Sequence, residues 1–457
     1  MRTSPAVRAF CAIGLMNAAA VFPTAARAEH RLVPSQYSTI QAAIDACNPG
    51  DFVDVSPGVY SGVGNINLDF HGVDLSCRGL GGPAVTIIDA AGSGSGRRGL
   101  MLTSGETRAA GFDGFTIRNA HGSAGGGIYC SNASPTIRNC WIQNCDALWG
   151  GGIALRDSGA LVQAVTIENC VVNWINFDQG GGGLSLENSN ARFEDCIIRG
   201  NRVEPEWLPG GGVWAQGGGS FARCVISGNV GSGATVTLAL LDHCTLAGNT
   251  GAEVSVTGIA DLTGCILSDP CAQSTLSVSG WATANCCMVQ GGLWTGGGTL
   301  QWLSPPIVEA AAFCEAPPCT RPTTQGSFAL LPSSPGRPEN NDCGEWIGAI
   351  TAPDCSTVGV GDPPAAANLG LRLVGANPTR GSVDLSFRLP VASAASISVL
   401  DVTGRRLARL GEFSAGPGEV TWHGSLRGGS VHLAPGIYLI EVHAAGLTMS
   451  RQVVLLP

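Results

Sequence analysis

The stretch GGGIALRDSGALVQAVTIENC, residues 150–170, decides the fold of this chain. Three glycines lead into two short apolar segments, and the apolar residues show no helical spacing. Its last six residues belong to a phrase that recurs at intervals of 20 to 31 residues. The copies are FTIRNA (115–120), CWIQNC (140–145), VTIENC (165–170), CIIRGN (196–201), CVISGN (224–229), CTLAGN (244–249), CILSDP (265–270) and the degenerate CCMVQG (286–291).

Each copy alternates with a period of two residues, which is typical of a β-strand. In CVISGN, for example, Cys224 and Ile226 share one face. Short strands at this spacing predict a solenoid with one coil per repeat. A second phrase, a glycine triplet followed by an apolar residue, begins at 125, 150, 181 and 210. We interpret these glycines as corners between strands, where positive φ or tight turning is needed, and not as a phosphate-binding loop.

Composition excludes several classes of function. Only 13% of residues are charged, and no lysine is present, which excludes a Schiff-base lysine and a P-loop. The formal net charge of −9 gives no reason to expect nucleic acid or an anionic membrane as partner. The histidines are scattered without metal-ligand spacing, so we expect no metal and no cofactor.

The first residues have the pattern of a secretory signal peptide. Arg2 and Arg8 precede an apolar core at 9–22, and ARA at 26–28 is a cleavage motif, so we expect cleavage after Ala28. No later segment has the 18 apolar residues that a membrane helix needs. These features predict an exported chain, secreted or at the cell surface.

Cysteines recur in the repeated phrase. Equivalent positions of a solenoid stack, so one inward column of buried thiols is expected. It would contain Cys140, Cys196, Cys224, Cys244, Cys265 and Cys286. In an oxidising compartment some cysteines also form disulfides. The candidates are Cys343 with Cys355, which flank the end of the solenoid, and Cys145 with Cys170, at equivalent places in successive turns.

Asparagines follow the strand phrase in six copies. The side-chain amides of stacked asparagines can bond from coil to coil. We therefore expect one asparagine ladder at a turn, formed by Asn119, Asn144, Asn169, Asn201, Asn229 and Asn249.

The repeats resemble those of right-handed parallel β-helix proteins of the pectin-lyase-like type, and the pairing of GG-x-[ILV] with [FI]-x-x-N is similar to the repeats of chlamydial polymorphic outer-membrane proteins. The segment 37–62 resembles the family's N-terminal unit. In it, a helix carrying Ile40, Ala43, Ile44 and Cys47 on one face would cap the barrel. The segment 328–350 resembles a closing rung. The resemblance covers roughly residues 30–356 and implies a fold that hosts lyases, hydrolases and adhesins alike.

The last part of the chain has a different pattern. A Ser/Gly/Pro/Ala-rich linker at 356–368 precedes alternating strands within 369–457, which predict a small β-sandwich. This unit resembles the Ig-like domain of the flagellar hook-capping protein FlgD and the C-terminal sorting domain of type IX secretion substrates. The expected fold is thus all-β, with a signal peptide (1–28), a right-handed parallel β-helix (29–355), a linker and an Ig-like sorting or anchoring domain. The resemblance implies an export or sorting machinery as partner.

Three loops between strand phrase and glycine triplet are the candidate binding site. DALW (146–149), VVNWINFDQ (171–179) and RVEPEWLP (202–209) bring aromatic and acidic residues to one edge of stacked coils. Aromatic faces stack on sugar rings while carboxylates accept bonds from hydroxyls. The candidate residues are Trp149, Trp174, Phe177, Asp178, Glu204, Glu206 and Trp207. Alternatively, these tryptophans fold back to cover the flank of the barrel.

Three functions are compatible with this pattern. The first is non-catalytic adhesion or polysaccharide and matrix interaction. The second is a polysaccharide lyase or glycoside hydrolase with a diverged site around 171–209, since the usual catalytic series of pectin-acting enzymes is missing. The third is a structural surface stalk that binds no glycan.

Overall fold

Strands of three to five residues dominate the computed structural model, and the strand phrases of the sequence lie on them. The described residues are 28–91, 96–173, 180–204, 210–268, 275–291, 293–294, 296–315, 323–325 and 327–349, together with 372–373, 382–389, 393–400, 406–415, 418–425, 433, 436–444 and 447–455. The helices among them are α1 (Ile40–Ile44) and a 3₁₀ turn at Pro338–Asn340.

The described residues before position 350 form thirty-five strands. They are β1 (His30–Val33), β2 (Phe52–Val55), β3 (Gly58–Ser61), β4 (Ser76–Gly79), β5 (Thr86–Asp89), β6 (Leu100–Leu102), β7 (Gly111–Asp113), β8 (Thr116–Arg118), β9 (His121–Gly122), β10 (Ile128–Ser131), β11 (Thr136–Arg138), β12 (Trp141–Gln143), β13 (Asp146–Ala147), β14 (Ile153–Arg156), β15 (Leu161–Gln163), β16 (Thr166–Glu168), β17 (Val171–Asn173), β18 (Leu184–Glu187), β19 (Arg192–Glu194), β20 (Ile197–Arg199), β21 (Arg202–Glu204), β22 (Val213–Gln216), β23 (Ser220–Ala222), β24 (Val225–Ser227), β25 (Ala234–Asp242), β26 (Thr245–Ala247), β27 (Val254–Thr263), β28 (Ile266–Ser268), β29 (Leu276–Val278), β30 (Trp281–Asn285), β31 (Met288–Gln290), β32 (Leu293–Trp294), β33 (Thr299–Trp302), β34 (Phe313–Glu315) and β35 (Ser327–Leu330).

These strands stack in register as a parallel β-helix. Among the described residues, nineteen strands form the front sheet, and β3, β5, β8, β12, β16, β20, β24, β26, β28 and β31 form the back sheet. Four short strands, β9, β13, β17 and β21, form the edge sheet. Back-sheet register pairs Ile142 with Ile167, Ile167 with Ile198 and Ile198 with Ile226, all fully buried. Such inward columns hold the coils together, since each buried aliphatic side chain contributes about 1.5–3 kcal/mol.

The predicted N-terminal cap is confirmed. Helix α1 begins after Thr39, whose hydroxyl accepts the Ala42 N–H, and its residues Ile40, Ala43 and Ile44 are buried in the core. Cys47, the fourth predicted member of that face, is half-buried against the same core.

The predicted column of buried thiols is present, but its last member is Cys287 and not Cys286. Backbone bonds connect the coils at Cys196, Cys224, Cys244, Cys265 and Cys287, and all five thiols are free and buried. Cys286 instead has φ of 51° and lies at a corner outside the barrel. In coils further toward the N-terminus the column continues as Val165 and Cys140. Every member of the column is buried in the core, so the column is an apolar packing element. At Cys140, burial also raises the pKa of the thiol to about 12.

The six asparagines that were expected to form one ladder occupy two different columns. Asn119, Asn144 and Asn169 are corner residues with φ near 55° and are equivalent to Gly200, Gly228 and Gly248. Asn201, Asn229 and Asn249 occupy the next position, where they are fully buried and bond to one another. The earlier coils carry Ala120, Cys145 and Cys170 at that buried position. We call Asn201, Asn229 and Asn249 the amide ladder; Glu253 accepts from Asn249 at its end.

The predicted disulfides differ from the structure. Cys343 is bonded to Cys286, not to Cys355, which lies outside the described residues. Cys145 and Cys170 are free buried thiols, each near a carbonyl of its own coil, at 3.2 Å from Gln143 O and 3.4 Å from Glu168 O. Parallel stacking aims their Cβ atoms in the same direction, which is poor geometry for a disulfide.

The segment predicted to close the barrel instead lies along its outside. We call residues 327–349 the strap. Its Phe328 packs on Ile197 and Val225, and its Leu330 and Ile347 pack on Ile266 and Met288. These back-sheet residues alternate with the inward column and so face outward. The strap is therefore a cover for an apolar outer stripe, and the expectation of a final rung was wrong.

The C-terminal part is antiparallel. Its strands are β36 (Arg372–Leu373), β37 (Ser382–Leu389), β38 (Ser393–Leu400), β39 (Arg406–Ala415), β40 (Gly418–Ser425), β41 (Gly436–Ala444) and β42 (Leu447–Leu455). They form one sheet in the order β36-β37-β40 and another in the order β39-β38-β41-β42. Across the described ranges no helix is long and apolar enough to cross a membrane.

Candidate functional site on the front sheet and its edge

The edge sheet carries the three predicted loops. Strands β13, β17 and β21 form the first residues of these segments, so the three segments begin at stacked positions. Residues 174–179 and 205–209 lie outside the described residues, and with them the predicted site residues Trp174, Phe177, Asp178, Glu206 and Trp207. Trp149 and Glu204 are described.

Trp149 folds back onto the barrel. It is 9% exposed and packs on Ala124 and Ala154, with its ring edge-on to Tyr129 at a centroid distance of 5.9 Å. The guanidinium of Arg156 lies over its other face, 5.0 Å from the centroid. For Trp149 the alternative interpretation applies: the side chain covers the flank of the barrel, and little of its ring is accessible to a sugar.

Glu204 remains at the surface, as expected for a binding residue, but it is paired within its own strand. Its Oε1 accepts from Nε of Arg202 at 2.7 Å, and both side chains are exposed. The structure brings Arg202 into the same edge column as Asp146 and His121. His121 Nδ1 contacts the carboxylate of Asp146 one coil away.

An exposed apolar row on the front sheet was missed by sequence reasoning. Register pairs Leu238 with Ile259 and Ile259 with Trp281 on the strands β25, β27 and β30. Their exposed fractions are 49%, 54% and 46%. We call these three residues the Trp281 row. A sequence signal for it exists, since TLALLD (237–242) is apolar at both alternating positions where a half-exposed strand should be polar.

Polar side chains line the neighbouring row of the same face. Asp261, Thr283 and Gln301 are in register with one another on successive coils. The Thr283 hydroxyl donates to Asp261 Oδ1. Hydrogen-bonding groups therefore lie beside the exposed indole of Trp281.

Backbone packing holds this face flat. A Cβ at Gly280 would lie 2.0 Å from Gly258 O, so the coils approach more closely there than any other residue type permits. The exposed row follows directly after this glycine column, at Ile259 and Trp281.

Many carboxylates on the outside of the solenoid are paired with arginines of neighbouring coils. Glu187 bonds Arg156 at 2.6 Å, Glu168 bonds Arg199 at 2.7 Å, and Asp195 bonds Arg223 at 2.7 Å. For Asp89, burial raises the pKa, but hydrogen bonds from Asn119, the Ala91 N–H and Arg118 outweigh it and hold the pKa below its ordinary value. Within the described ranges, no group of three or more His, Cys, Asp or Glu side chains could hold a metal ion.

The fold is a parallel β-helix, because parallel coils stack in register, aliphatic columns point inward and the corner residues have positive φ. The comparison with family models shows that this helix is right-handed. The family described as the right handed beta helix region matches residues 75–250 and 126–286. No curated protein matches the chain.

Two solved structures with some similarity are tailspike proteins of bacteriophages. One is the enzymatically active domain of tailspike protein 2 of bacteriophage CBA120, at 10% identity and a TM-score of 0.27, covering 94% of this chain and 76% of that one. The other is tailspike protein gp49 of Acinetobacter baumannii bacteriophage Fri1, a capsular polysaccharide depolymerase, at 12% identity and a TM-score of 0.29, covering 94% and 82%. At these values we base no argument about activity on either protein.

Proposed function

We propose that this protein is an exported β-helix protein, secreted or held at the cell surface, that binds polysaccharide along its front sheet without cleaving it. The Trp281 row carries the proposal. It exposes an aromatic ring on a rigid sheet directly beside the polar row of Asp261, Thr283 and Gln301. A sugar ring presents both C–H faces and hydroxyls, and this face offers a partner for each.

The dimensions of the row suit a chain ligand. Neighbouring strands lie about 4.8 Å apart, so Leu238, Ile259 and Trp281 extend over roughly 10 Å along the solenoid axis. A contiguous exposed apolar patch of this kind on a soluble protein marks an interaction site. The polar row lies parallel to it but is shifted by one coil: Asp261 and Thr283 are on the strands of Ile259 and Trp281, and Gln301 is on the next coil.

Ion pairing of the surrounding carboxylates favours binding over cleavage. Glycoside hydrolysis needs two carboxyl groups, one acting as acid and one as base or nucleophile. Glu187 and Glu204 near the edge are each bonded to an arginine, and Asp261 accepts from Thr283. In this arrangement the three carboxylates are engaged with other side chains of the protein and are not paired with one another as an acid and a base.

Export and sorting complete the proposal. The sequence pattern of residues 1–28 supports a cleaved signal peptide, and the antiparallel strands after residue 371 are compatible with an Ig-like sorting or anchoring domain. The mass of the mature N-terminus, and localisation of a chain truncated at 368, test the two parts separately. A retained leader, or unchanged localisation after truncation, contradicts the respective part.

Glycan binding is tested with Trp281→Ala. We expect the variant to lose at least about tenfold in affinity for glycans found by array screening, since an aromatic contact contributes roughly 0.5–1.5 kcal/mol beyond its buried area. Its Tm should be unchanged because the ring is exposed. Leu303→Ala, at another exposed apolar residue, is the matched control and should bind as wild type.

The competing functions give different results in the same experiment. Release of reducing or unsaturated ends from a bound glycan would show an enzyme. If the wild type binds no glycan at all, the result would favour the third function, a structural surface stalk. The parallel variants Trp174→Ala and Trp207→Ala test whether the edge loops add to the site: affinity falls if they do, whereas Tm falls if they pack on the flank.

A further inference from the structure

Nearly every described arginine of the solenoid touches a carboxylate. The pairs are Arg31 with Glu29 and Asp51, Arg78 with Asp54, Arg118 with Asp89, Arg138 with Asp113, Arg156 with Glu187, Arg192 with Glu194, Arg199 with Glu168, Arg202 with Glu204, Arg223 with Asp195 and Arg337 with Glu339. Within the described ranges, Arg97, Arg98 and Arg108 touch none. Two of these three are adjacent in sequence and half-buried.

Arg97 and Arg98 bond only to neutral oxygens. Arg98 donates from Nε to Ala124 O at 2.7 Å and from Nη2 to Ser123 Oγ at 3.0 Å. Arg97 donates from Nε to Ala90 O at 2.9 Å and from Nη2 to Ala91 O at 2.8 Å. These bonds fix both guanidinium groups and leave Nη1 of each without an acceptor among the described residues.

The surroundings of Arg98 are aromatic and poorly hydrated. Its guanidinium lies over the ring of Tyr129, 5.6 Å from the centroid. Burial lowers the pKa of Arg98, which reflects the cost of holding a cation where water is partly excluded. A half-buried charge without a counter-charge is unfavourable, and a bound anion would remove that cost.

Two acids lie around Arg97, and both are already engaged. Asp89 accepts from Arg118 and Asn119, and Asp146 contacts the side chain of His121, whose backbone forms an antiparallel bridge with Arg97. The amide N–H of Arg98 is also used, by Asn67 Oδ1 at 2.7 Å. The guanidinium of Arg98 is thus the cation here that lacks a carboxylate partner among the described residues.

We propose that Arg98 forms a subsite for an anionic group, a carboxylate or a sulfate ester, on a polysaccharide long enough to reach it from the Trp281 row. Strand register places Trp281 seven coils from Arg98, which is roughly 34 Å at about 4.8 Å per coil. A guanidinium presents donors in a planar fork that matches such groups, and its bonds to anions are stronger than those between neutral partners. The inference rests on the proposed function because it names the class of glycan, an acidic one. Ser123 and Tyr129 flank the subsite and contact the sugar ring that carries the anion.

The test compares acidic and neutral glycans on the full chain. Affinity for polygalacturonate oligomers, for dextran sulfate and for a neutral glycan that binds the wild type is measured by calorimetry for wild type, Arg98→Gln and Arg98→Lys. We expect Arg98→Gln to bind the acidic glycan roughly tenfold more weakly or worse, as for loss of a charged hydrogen bond, with neutral binding unchanged. Arg98→Lys keeps the charge without the fork and should recover part of the affinity. Arg108→Gln removes an equally unpaired but exposed charge and should have no effect.

Salt gives an independent readout. Binding at the subsite weakens as salt rises from about 0.01 to 0.15 M, since the Debye length shortens from roughly 30 to 8 Å. If long-range repulsion between an acidic glycan and a chain of net charge −9 dominated, affinity would instead rise with salt concentration. Equal acidic binding by wild type and Arg98→Gln at an unchanged Tm, or affinity that rises with salt, overturns the inference.

The outcomes separate this inference from the proposed function. Loss of neutral and acidic binding in Trp281→Ala supports the proposed function, and a selective acidic defect in Arg98→Gln supports the subsite. Neutral binding with no preference for either acidic polymer refutes the subsite alone. Binding of carboxylated but not sulfated polymer, or the reverse, identifies which anion the subsite accepts.

Discussion

Replacing Asn229 by alanine should destabilise the protein far more than replacing an asparagine at the preceding corner position. Asn229 is fully buried in the amide ladder. Its Oδ1 accepts from the Asn201 N–H at 2.8 Å and from Asn201 Nδ2 at 3.0 Å. Its Nδ2 donates to Ile198 O at 3.1 Å and to Asn249 Oδ1 at 2.8 Å.

The magnitude follows from which groups lose their partner. Asn201 Nδ2 keeps Ile167 O at 3.0 Å, and Asn249 Oδ1 keeps the Asn229 N–H at 3.0 Å. The backbone N–H of Asn201 keeps no acceptor, and an unsatisfied buried group costs about 1–3 kcal/mol. With the other weakened bonds, we expect a loss of about 3 kcal/mol in the free energy of unfolding.

The assay is urea unfolding followed by fluorescence, with amide exchange at Asn201 as the local readout. The control is Asn144→Gly, at an exposed corner with φ of 52°, where glycine adopts the backbone freely and the change should lie within about 0.5 kcal/mol. A loss below about 1 kcal/mol in Asn229→Ala, or one no larger than in the control, would refute the assignment of the ladder as a stabilising network.

Three further outcomes are expected. Cys224 should resist a thiol-specific reagent near neutral pH and react only after denaturant is added, because its thiol is fully buried and burial raises its pKa well above the ordinary value; labelling of Cys224 in the native chain, located by peptide mapping, would contradict this. Asp51 is partly desolvated, which raises its pKa, but N–H groups of Asn48 and Glu29 and the charge of Arg31 outweigh that and lower it. A lowered folded pKa contributes stability above the unfolded value of about 3.9 that is lost as pH falls through the folded value, so wild type should lose more stability on acidification below about pH 4 than Asp51→Asn does. An equal slope of stability against pH for both proteins would contradict it. Cys343→Ser opens a cross-link with a sequence separation of 57 and should lower the free energy of unfolding by up to about 4 kcal/mol in the chain-entropy treatment, with early proteolysis of the strap; an unchanged digestion pattern would show that packing alone holds the strap.

The repetition in the sequence was enough to predict the coils, since strand phrases and glycine corners recur with the chain's own period. It was not enough to place single residues on the correct side of a corner. Cys286 and Cys287 are adjacent, and a shift of one residue moves a side chain from the inside to the outside of a strand. The same one-residue ambiguity merged the corner asparagines with the amide ladder.

The sequence was enough to predict that the three edge segments begin on stacked strands, but it did not predict the orientation of Trp149. Trp149 is covered because Arg156 and Tyr129, from two different coils, lie against its ring. The Trp281 row depends on the register between β25, β27 and β30, which the sequence shows only as strands that are apolar on both faces. The lone arginines at 97 and 98 could not be recognised at all, because their lack of acids is a property of the assembled surface.

The strap changes how this solenoid can evolve. In the coils up to β19, each turn contacts its neighbours, so the duplication or loss of one turn alters length and little else. Beneath the strap, outward-facing residues on five successive coils meet a fixed length of chain; they are Ile197, Val225, Ala247, Ile266 and Met288. Gaining or losing a turn there would shift every contact and separate Cys286 from Cys343. Contacts with the strap therefore fix the number of coils in the second half of the solenoid. The first half can gain coils without losing such contacts.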